Sequence, residues 1–560
     1  MQNLNAIISV SFIFILLIIL LVEKYKKNEF KKIDIEKFLQ NNRNKIIIIV
    51  IILALIFISR IYKFGTLPIT IGVDEAGAAY DAYCLANFGV DRYLNSFPLY
   101  LINFGGGQSA LYAYLNALLI KILGNSTILI SRLPALILFI MAIFISYKLV
   151  SKKQDKKTAV LLAFLITLCP WQIIQSRFGL DCNLLGPLFI LDLLLLENAK
   201  KNYQYILAGI SVGITLYTYS LSYLIMPVFL LIWVIYHLYT KTINIKQIII
   251  LASTVFIFAL PLMYFILLNM GIVEKTNFGI ITIPKLFEFR VGEIALHNIV
   301  NVGLDSITKV FFSDNTLYYL EIPFFVIGII KGIEAIIKSI KTKEYFFLAL
   351  MTLTFFAILI PNLLVHIVTT NKGNILYIPI LYFVAVGMIE LIKDRKILWQ
   401  ILVITYLLLF TIFEIYYYTN FSVKSHSVYE DRGITNVIEY IDGTEKDRKN
   451  IYLFTYQKSE PYIYILLNRK ISPYEYDETK IVEKLEASGG YYQQTKKCSK
   501  YHFYDMEGIK EYHNDRTYIV NKKHESLSKF LEKIGYKKET VEEYYIFTWW
   551  ELLWNLMKEN

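Results

Sequence analysis

Two adjacent carboxylates, Asp74 and Glu75, stand in the stretch Gly72-Val-Asp-Glu-Ala76 soon after an apolar run. That run, Ile46 to Tyr62, is long enough to cross a lipid bilayer as a helix. A carboxylate just beyond the end of a membrane helix can act as a general base on a substrate at the bilayer surface. The same pattern is also typical of a solvated turn, and the Asp-Glu pair alone does not decide between the two.

Further polar and ionisable side chains lie in the segment that follows this run, residues 63–130, or near the ends of other apolar runs. An ionisable residue at a helix end usually extends its charged group to the interface, so a single one does not define a site. Several on one face of the membrane favour a common cavity, because charge in a membrane is costly unless it is paired or used. The candidates are Asp81, Asp91, Arg92, Gln108, Tyr112, Arg132, Arg177, Asp181, Asn371 and Lys372.

The composition predicts a membrane protein made of helices. The 560 residues are 56% hydrophobic and 18% charged, with a mean hydropathy of +0.47. Apolar runs of about 17–22 residues recur along the chain, which is typical of membrane helices. The strands of a membrane barrel would instead alternate apolar and polar residues.

The formal net charge of +11 does not indicate nucleic-acid binding. Residues 421–560 carry 22 Lys and Arg against 23 Asp and Glu, so the positive excess lies in the apolar part of the chain. There it concentrates in short loops between the apolar runs, where it indicates which loops are cytoplasmic. No nucleic-acid partner is predicted.

Charge placement also predicts the orientation of the chain. The loop from Glu23 to Lys45 holds eight Lys and Arg and is therefore predicted to be cytoplasmic. The next span leads outward, so Asp74 and Glu75 are expected on the outer face. Continued alternation gives about twelve spans with both termini outside: 6–22, 46–62, 132–150, 158–176, 184–196, 205–219, 221–239, 248–268, 320–337, 345–366, 375–392 and 397–418.

Two outer segments are predicted to hold helices that do not cross the membrane. Ala110 to Leu123 is only about fourteen residues long and includes Asn116 and Lys121. Its leucines keep helical spacing, which favours an amphipathic helix on the outer interface. Interfacial helices are also expected around Pro284 to Val300.

Three regions follow from this pattern. Residues 1–45 are expected to form an N-terminal extra span and a basic cytoplasmic loop, 46–418 a transmembrane domain that carries the candidate carboxylates in its first outer loop, 63–130, and 419–560 an extracytoplasmic α/β domain. The last region contains neither a Gly-rich phosphate loop nor a nucleophile elbow. Its predicted elements are helix 436–441, strand 451–456, helix 461–467, strand 516–520, helix 526–534 and strand 543–548.

Short motifs run through the first outer segment: Asp74-Glu75-Ala76, Gly89-x-Asp91, Leu111-Tyr112-x-Tyr114-Leu115, Leu123-Gly124 and Ser131-Arg132-Leu133-Pro134. This series resembles the first outer loop of the GT-C membrane glycosyltransferases. It is most similar to the family-39 group, which includes protein O-mannosyltransferases and aminoarabinose lipid A transferases. In those families an Asp-Glu pair opens the loop after an outward helix, and an interfacial helix precedes an Arg-x-Pro span. The resemblance covers about residues 45–400.

The resemblance implies a glycosyltransferase of the cell membrane that takes its sugar from a polyprenyl-phosphate donor on the outer face. It implies that Asp74, beside Glu75, is the general base on the acceptor and that the reaction inverts the anomeric carbon. It implies an acceptor that is a protein, a glycan or a lipid. Cations would stabilise the departing phosphate. The residues implied to bind substrate or phosphate are Arg132, Arg177, Lys372, Asp181, Gln108, Tyr112 and Asn371.

One stretch departs from the family pattern. Aminoarabinose-type members carry Glu-Lys-Pro before the interfacial helix, whereas this chain has Asn103-Phe-Gly-Gly-Gly-Gln108-Ser. The glycines could bring backbone N–H groups close to a phosphate, or they could form a flexible turn. The family's second acid has no counterpart here. Since His297 and His366 lack the spacing of metal ligands, no metal or other cofactor is predicted.

Two other functions compete with glycosyl transfer. A lipid or polysaccharide transporter or flippase would lack the chemistry and would show internal repeats and charged or broken helices at the membrane midplane. Acids within the predicted spans are few, and the polar groups cluster outside them. A membrane anchor whose C-terminal domain binds a partner would leave the pattern of the first outer loop unexplained.

Overall fold

The structure is a computed structural model, and its contacts divide the chain into two compact units. The helical unit comprises residues 1–65, 132–264 and 291–421, and the mixed unit comprises 66–131, 265–290 and 422–560. The residues that the structure describes are 2–26, 32, 34–104, 106–276, 278–289, 295–301, 303–313, 315–365, 370–424, 430–431, 433–444, 450–455, 460–487, 490–504 and 516–549.

Helices make up most of the chain up to residue 421. The long apolar runs become helices because a helix satisfies its backbone hydrogen bonds internally, as a lipid environment requires. In chain order they are α1 Gln2–Lys26, α2 Ile35–Gln40, α3 Asn42–Ile56, α4 Val73–Phe88, α5 Leu111–Leu123, α6 Ile128–Lys153, α7 Lys156–Leu168, α8 Pro170–Gln175, α9 Cys182–Asn198, α10 Asn202–Thr215, α11 Ser222–Tyr239, α12 Ile245–Asn269, α13 Asn298–Asn301, α14 Gly303–Phe312, α15 Glu321–Thr342, α16 Phe347–Leu363, α17 Tyr377–Ile392 and α18 Lys396–Tyr416.

The chain is a polytopic helical membrane protein, as its composition predicts. Among the described residues, seven helices are long and apolar enough to cross a membrane, and the pair α15 and α16, bent by 116°, raises this number to eight if it counts as one span. Each of the twelve predicted spans overlaps at least one of the helices. The expected total of about twelve also includes α7, α9 and α10, which have 13, 17 and 14 residues.

The predicted span 158–176 forms two helices. Helix α7 ends before Cys169, and α8 begins with Pro170 at its first position. Proline fits the first turn of a helix, where its missing N–H has no partner to lose, but it interrupts a helix interior. The proline therefore separates the two helices at this point.

Helices α15 and α17 of the helical unit pack through glycines. A Cβ on Gly328 would lie 2.0 Å from the carbonyl oxygen of Phe383, and one on Gly387 would lie 1.9 Å from that of Phe324. Small residues at matching positions allow two membrane helices to approach backbone to backbone. The close α15–α17 contact therefore requires a glycine on each helix.

The mixed unit combines the segment after α3 with the C-terminal region. Besides α4 and α5 it contains β1 Ile71–Gly72, β2 Tyr100–Asn103, β3 Gly106–Ser109, β4 Glu430–Asp431, α19 Ile434–Thr444, β5 Asn450–Phe454, α20 Tyr462–Arg469, α21 Pro473–Thr479, β6 Ile481–Ala487, β7 Gly490–Cys498, β8 Tyr501–Tyr504, β9 Arg516–Asn521, α22 Glu525–Lys533, β10 Tyr536–Val541 and β11 Tyr544–Trp549. Seven of these strands form one sheet in the order β10-β11-β9-β5-β8-β7-β6, in which β5 runs parallel to β8 and β9.

Strand β5 contributes to apolar clusters on both faces of this sheet. Ile451 and Leu453 lie in a cluster with residues of α4, α19 and α20, while Tyr452 and Phe454 lie in another with residues of α22. A strand that is buried on both sides reads as a continuous apolar run. The sequence Ile-Tyr-Leu-Phe therefore fits its place in the centre of the sheet.

Helix α4, which carries Asp74 and Glu75, packs on the C-terminal region. The Tyr80 hydroxyl donates to the carbonyl oxygen of Ile471 at 2.8 Å, and the Tyr464 hydroxyl donates to that of Ile71 at 3.0 Å. Strand β1 also pairs with β4. The first loop and the C-terminal region thus share one apolar core.

The six elements expected after residue 419 are confirmed as α19, β5, α20, β9, α22 and β11. The expected amphipathic helix of residues 110–123 is confirmed as α5, while its place at a membrane interface stays a prediction. Of the interfacial helices expected around Pro284 to Val300, none forms at residues 284–289, whereas α13 covers residues 298–300, and residues 290–294 lie outside the described residues. Asn269 holds the stretch 284–289 through hydrogen bonds with the Pro284 carbonyl oxygen and the Leu286 N–H.

Candidate active site

The carboxylates Asp74 and Glu75 lie in the first turn of α4. Gly72 precedes this helix with extended backbone, and Gly89 ends it in the left-handed region at φ +72°. Acidic residues are favourable in a first helical turn because they face the positive end of the helix dipole. Asp74 is exposed, whereas Glu75 is 1% exposed. Of the two carboxylates, Asp74 is the one that a substrate can reach.

The Asp74 carboxylate is held by a neighbouring hairpin. The Asn103 side-chain N–H donates to Asp74 Oδ1 at 2.9 Å, and the Gln108 side chain lies 3.5 Å from the Asp74 carbonyl oxygen. Asn103 ends β2, and Gln108 lies in β3, which pairs with it. The structure thus brings together Asp74 and Gln108 from the predicted site and adds Asn103.

The glycine-rich stretch forms part of that hairpin. Gly106 and Gly107 lie in β3, so of the two alternatives the flexible turn is wrong for these residues, and Gly105 lies outside the described residues. A Cβ on Gly107 would lie 2.2 Å from the ring of Tyr100. The absence of a side chain is therefore needed for Tyr100 to lie across the hairpin.

A buried ion pair lies behind Asn103. Arg92 is 0% exposed and places Nη2 2.7 Å from Asp81 Oδ2, while its Nε lies 3.0 Å from Asp81 Oδ1. The same Nη2 donates to Asn103 Oδ1 at 3.2 Å. Although burial lowers the pKa of Arg92, the Asp81 carboxylate raises it, and the resulting pKa lies well above its usual range. Arg92 therefore stays charged.

Two further carboxyl groups of the mixed unit have raised pKa values. Burial, with the Asp81 charge, raises the pKa of Asp91 to about 6, against hydrogen bonds from Asn95 and Tyr93. Burial raises the pKa of Glu460 to about 8, against the charges of Arg92 and Lys496. Glu460 thus brings a titratable group of the C-terminal region into the surroundings of Arg92.

Replacing Glu460 should weaken the pH dependence of stability. The folded chain keeps the Glu460 proton up to about pH 8, whereas the unfolded chain releases it near the ordinary value of 4.5. Stability should therefore fall as the pH rises through this window. We expect the apparent Tm of the wild type to fall more between about pH 5 and about pH 8.5 than that of Glu460→Gln.

The control for this prediction is Glu525→Gln, because Glu525 is 78% exposed beside Lys529. It should keep the pH dependence of the wild type. Equal slopes of Tm against pH for Glu460→Gln and the wild type would contradict the assignment.

Tyr112 lies in α5 and is 1% exposed. Its hydroxyl donates to the carbonyl oxygen of Ser131 at 2.8 Å, as does the Asn116 side chain at 3.1 Å. These contacts tie α5 to the first turn of α6. The structure thus gives Tyr112 a role in positioning α5.

Among the predicted cations of the helical unit, Arg132 and Arg177 are both 0% exposed. The Arg132 guanidinium lies over the ring of Phe178 at 5.6 Å. Arg177 donates to the carbonyl oxygens of Ser59, Tyr62 and Lys63 and to the Tyr418 hydroxyl, at 2.9–3.2 Å. Arg177 therefore holds the end of the helix that precedes the first loop.

Lys372 and Asn371 lie in a turn before α17, and both are partly buried. Asn371 accepts a hydrogen bond from Gln175 at 3.0 Å. Asn374, in the same turn, accepts from Trp171 at 3.2 Å and donates to Asn183 at 2.8 Å. Three side-chain hydrogen bonds thus fix this turn against the α8–α9 region.

Asp181 caps the N-terminus of α9, where its side chain accepts a hydrogen bond from the backbone N–H of Cys182 at 2.8 Å. It is 8% exposed.

In the described residues, no group of three or more His, Cys, Asp and Glu side chains is arranged to hold a metal ion. His366 lies outside them. His297 is exposed in the turn before α13.

Sequence reasoning did not assign roles to Asn103, Gln175 and Glu460. In the sequence Asn103 is only the first residue of the stretch that lacks the family's Glu-Lys-Pro. No local signal marks Glu460, since its neighbours across space are distant in sequence. The position of Asn103 beside a glycine run is a local sign of a close backbone approach.

No protein-family model matches the chain, and no curated protein matches its sequence. Solved structures do match. ArnT from Cupriavidus metallidurans bound to undecaprenyl phosphate has a TM-score of 0.54 and 10% identity, over 90% of this chain and 97% of that chain. The apo state of the same protein has a TM-score of 0.52 and 8% identity, again over 90% of this chain and 97% of that chain. The Archaeoglobus fulgidus oligosaccharyltransferase in complex with Zn and sulfate has a TM-score of 0.47 and 13% identity, over 75% of this chain and 61% of that chain.

ArnT is an aminoarabinose lipid A transferase with the GT-C fold. At 10% identity the likeness extends to the fold, and it covers nearly the whole of both chains. The motifs of the first outer loop resemble the same class of protein. Together these findings identify the chain as a membrane protein with the GT-C fold of the glycosyltransferases that include ArnT.

Proposed function

We propose that this protein is an inverting glycosyltransferase that moves a sugar from a polyprenyl-phosphate donor to an acceptor at the outer face of the membrane. Asp74 acts as its general base. The observation that carries the proposal is the exposed Asp74 carboxylate, fixed by Asn103 in the first turn of α4, in a chain with the fold of ArnT. Binding of undecaprenyl phosphate by ArnT supports a polyprenyl-phosphate donor.

The chemistry suits an exposed carboxylate. Asp74 takes the proton from an acceptor hydroxyl or amine as that group attacks the anomeric carbon. The new glycosidic bond forms on the face opposite the phosphate, the carbon–oxygen bond to the phosphate breaks, and the polyprenyl phosphate departs with the electron pair. Glu75 belongs to the proposed catalytic site as the buried neighbour of the base, because its side chain is shielded from solvent.

The departing phosphate needs a cation, because its charge develops as the bond breaks. Lys372 is the first candidate, as a partly buried ammonium in a turn fixed by three side-chain hydrogen bonds. Arg132 and Arg177 are buried and add positive charge to the helical unit. Asn371, Asp181, Gln108 and Tyr112 are assigned to substrate binding or to the positioning of the residues that bind substrate.

The proposed outer-face location rests on charge. The basic loop of residues 23–45 is cytoplasmic by the positive-inside rule, and α3 leads from it to the segment that carries Asp74. The C-terminal region packs on α4, which supports the proposal that it lies on the same side of the membrane as Asp74.

The proposal is tested with the purified full chain in detergent. Undecaprenyl phosphate carrying a hexose or a pentose is the donor, and lipid, glycan and peptide fractions are offered as acceptors. We expect undecaprenyl phosphate to be released in step with a glycosylated product of inverted anomeric configuration, read by NMR. Product with retained configuration would overturn the mechanism. A folded protein that releases no undecaprenyl phosphate from any donor would favour a transporter, to be followed by flux assays.

Lys372→Ala should raise the apparent KM for the donor. A charge-assisted hydrogen bond to a phosphate is worth about 1.5–3 kcal/mol, which corresponds to roughly a 10–150-fold change. The matched control is Lys309→Ala, because Lys309 is 43% exposed and pairs with Asp305. Donor kinetics that are the same in Lys372→Ala, Lys309→Ala and the wild type would assign the phosphate to another cation.

A further inference from the structure

Three residues of α4 lie along one face of the helix and lead from the solvent into the protein. They are Asp74, Gly77 and Asp81, at spacings of three and four residues, which place side chains on the same side of a helix. Asp74 is exposed at the start of this row, and Asp81 is 0% exposed at its end. The row therefore links a solvent-facing carboxylate to a buried one.

Arg92 and Asn103 fill the space between these two carboxylates. Asp81 receives the Nε and Nη2 donors of Arg92, and the same Nη2 donates to Asn103 Oδ1 at 3.2 Å. The Asn103 side-chain N–H then donates to Asp74 Oδ1 at 2.9 Å. The four side chains form one continuous series of hydrogen bonds.

The direction of this series is fixed by its chemistry. An arginine side chain has donors only, so the atom of Asn103 that faces Arg92 must be the amide oxygen. The amide N–H₂ group then faces Asp74, which can only accept from it. Arg92 cannot rotate away, because Asp81 binds two of its nitrogens and the Phe104 ring lies 5.4 Å from its guanidinium carbon.

Gly77 allows the series to pass along the helix. A Cβ at this position would lie 2.6 Å from Asn103 Oδ1 and 2.7 Å from Arg92 Nη2. A glycine in the interior of a helix is unfavourable compared with alanine, so its presence in α4 calls for a reason. The close approach of Arg92 and Asn103 supplies that reason.

We propose that Asn103, oriented by the Arg92–Asp81 pair, is the positioning residue that holds the Asp74 carboxylate for proton transfer. This inference rests on the proposed function. The hydrogen bond favours the ionised carboxylate, which is the form that a general base needs, and fixes its rotation at the same time. A catalytic group must be held close to its productive geometry by neighbours that are themselves fixed.

The test uses two substitutions of Asn103. Asn103→Asp keeps the size and the contact with Arg92 but replaces the donor that faces Asp74 by an acceptor. Asn103→Ala removes both contacts. We expect each to lower kcat about tenfold or more while the donor KM stays within about twofold, because one oriented hydrogen bond is lost and no substrate contact is removed.

A pH profile separates positioning from a general structural role. In Asn103→Ala the acid limb of kcat/KM should move to higher pH, since the ionised carboxylate loses a hydrogen bond. In Asn103→Asp activity should partly return as the pH falls, because a proton shared between the two carboxyl groups restores an O–H donor. Gly77→Ala should act like Asn103→Ala and move the acid limb to higher pH, because the new Cβ would push against Asn103 and Arg92.

The matched control is Asn87→Ala, because Asn87 is an exposed asparagine of α4 that donates to the Tyr83 carbonyl oxygen at 2.9 Å. It should keep the wild-type kcat and pH profile. All variants are assayed with the undecaprenyl-phosphate sugar that the wild type turns over fastest, and their Tm is recorded.

The outcomes distinguish this inference from the proposed function. If Asp74→Asn is inactive while Asn103→Asp and Asn103→Ala keep wild-type kcat and pH profile, the inference is overturned and the proposed function stands. Equal losses of kcat in Asn103→Asp and Asn87→Ala would also overturn it. A fully active Asp74→Asn would overturn both. We expect the Asn103 variants to show a reduced kcat and a shifted acid limb, with the donor KM and the Tm unchanged.

Discussion

Asp74→Asn is expected to lower the rate of sugar transfer by roughly 10²–10⁴-fold, the usual contribution of a general base. The amide has nearly the same size and can still contact Asn103, but it cannot take a proton. Asp74 lies exposed in the first turn of α4, so the substitution leaves the buried core of the mixed unit unchanged. The donor KM should change little, because the proposed phosphate contacts belong to other residues.

Asp477→Asn is the control for this substitution, because Asp477 is 43% exposed and pairs with Lys480 on the protein surface. Its transfer rate and Tm should match those of the wild type. A transfer rate in Asp74→Asn within about twofold of the wild type would remove Asp74 as the base.

Asp81→Ala is expected to destabilise the protein by about 3–5 kcal/mol, because it leaves the buried charge of Arg92 without its carboxylate. Both side chains of the pair are almost fully buried, at 0% and 1% exposed. Arg92 also bonds to Asn103, so a shift of Arg92 should reach Asp74 as well. The loss of stability should therefore be accompanied by a loss of sugar transfer.

This loss of stability is read as the apparent Tm of the purified chain in detergent. The comparison is with Asp477→Ala, which removes an exposed ion pair that is worth about 0–1 kcal/mol. Similar Tm values for the two variants would show that the Asp81–Arg92 pair does not stabilise the fold.

The sequence predicts those parts of the fold whose pattern is local. Apolar runs identify the helices of the membrane part, and β5 is recognisable because the centre of a sheet is apolar on both faces. The sequence does not reveal β6, the edge strand, or β7 beside it, because both carry polar and charged residues among the apolar ones, as in Ile-Val-Glu-Lys-Leu-Glu-Ala of β6. Strand β10, at the other edge, is also rich in charge and was missed for the same reason.

The candidate site could be predicted only in part. Asp74 and Glu75 follow an apolar run and begin a helix, and both features are visible in a short window of sequence. Asn103 is 29 residues away from Asp74 and reaches it only because the β2–β3 hairpin folds beside α4. Glu460 lies still further along the chain, and its position within reach of the Arg92 charge depends on the packing of α20 against α4. Such contacts come from tertiary structure, which periodicity does not reveal.

Arg177 illustrates a second limit. Its position between two apolar runs fits a cation that binds a substrate phosphate, and the sequence gives no reason to prefer another role. In the structure its guanidinium donates to three backbone oxygens at the end of the helix before the first loop. Tertiary contacts decide which N–H donors of an arginine are already bound to backbone oxygens. Residue type and spacing do not reveal these contacts.

The most direct test of the central claim is to measure transfer of radiolabelled sugar from undecaprenyl-phosphate donors into envelope fractions, with the wild type and Asp74→Asn side by side. We predict transfer by the wild type from at least one donor and about 1% of that rate or less in the variant. Transfer by Asp74→Asn at the wild-type rate would contradict the role of the carboxylate. Absence of transfer from every donor by the folded wild type would contradict the proposed activity itself.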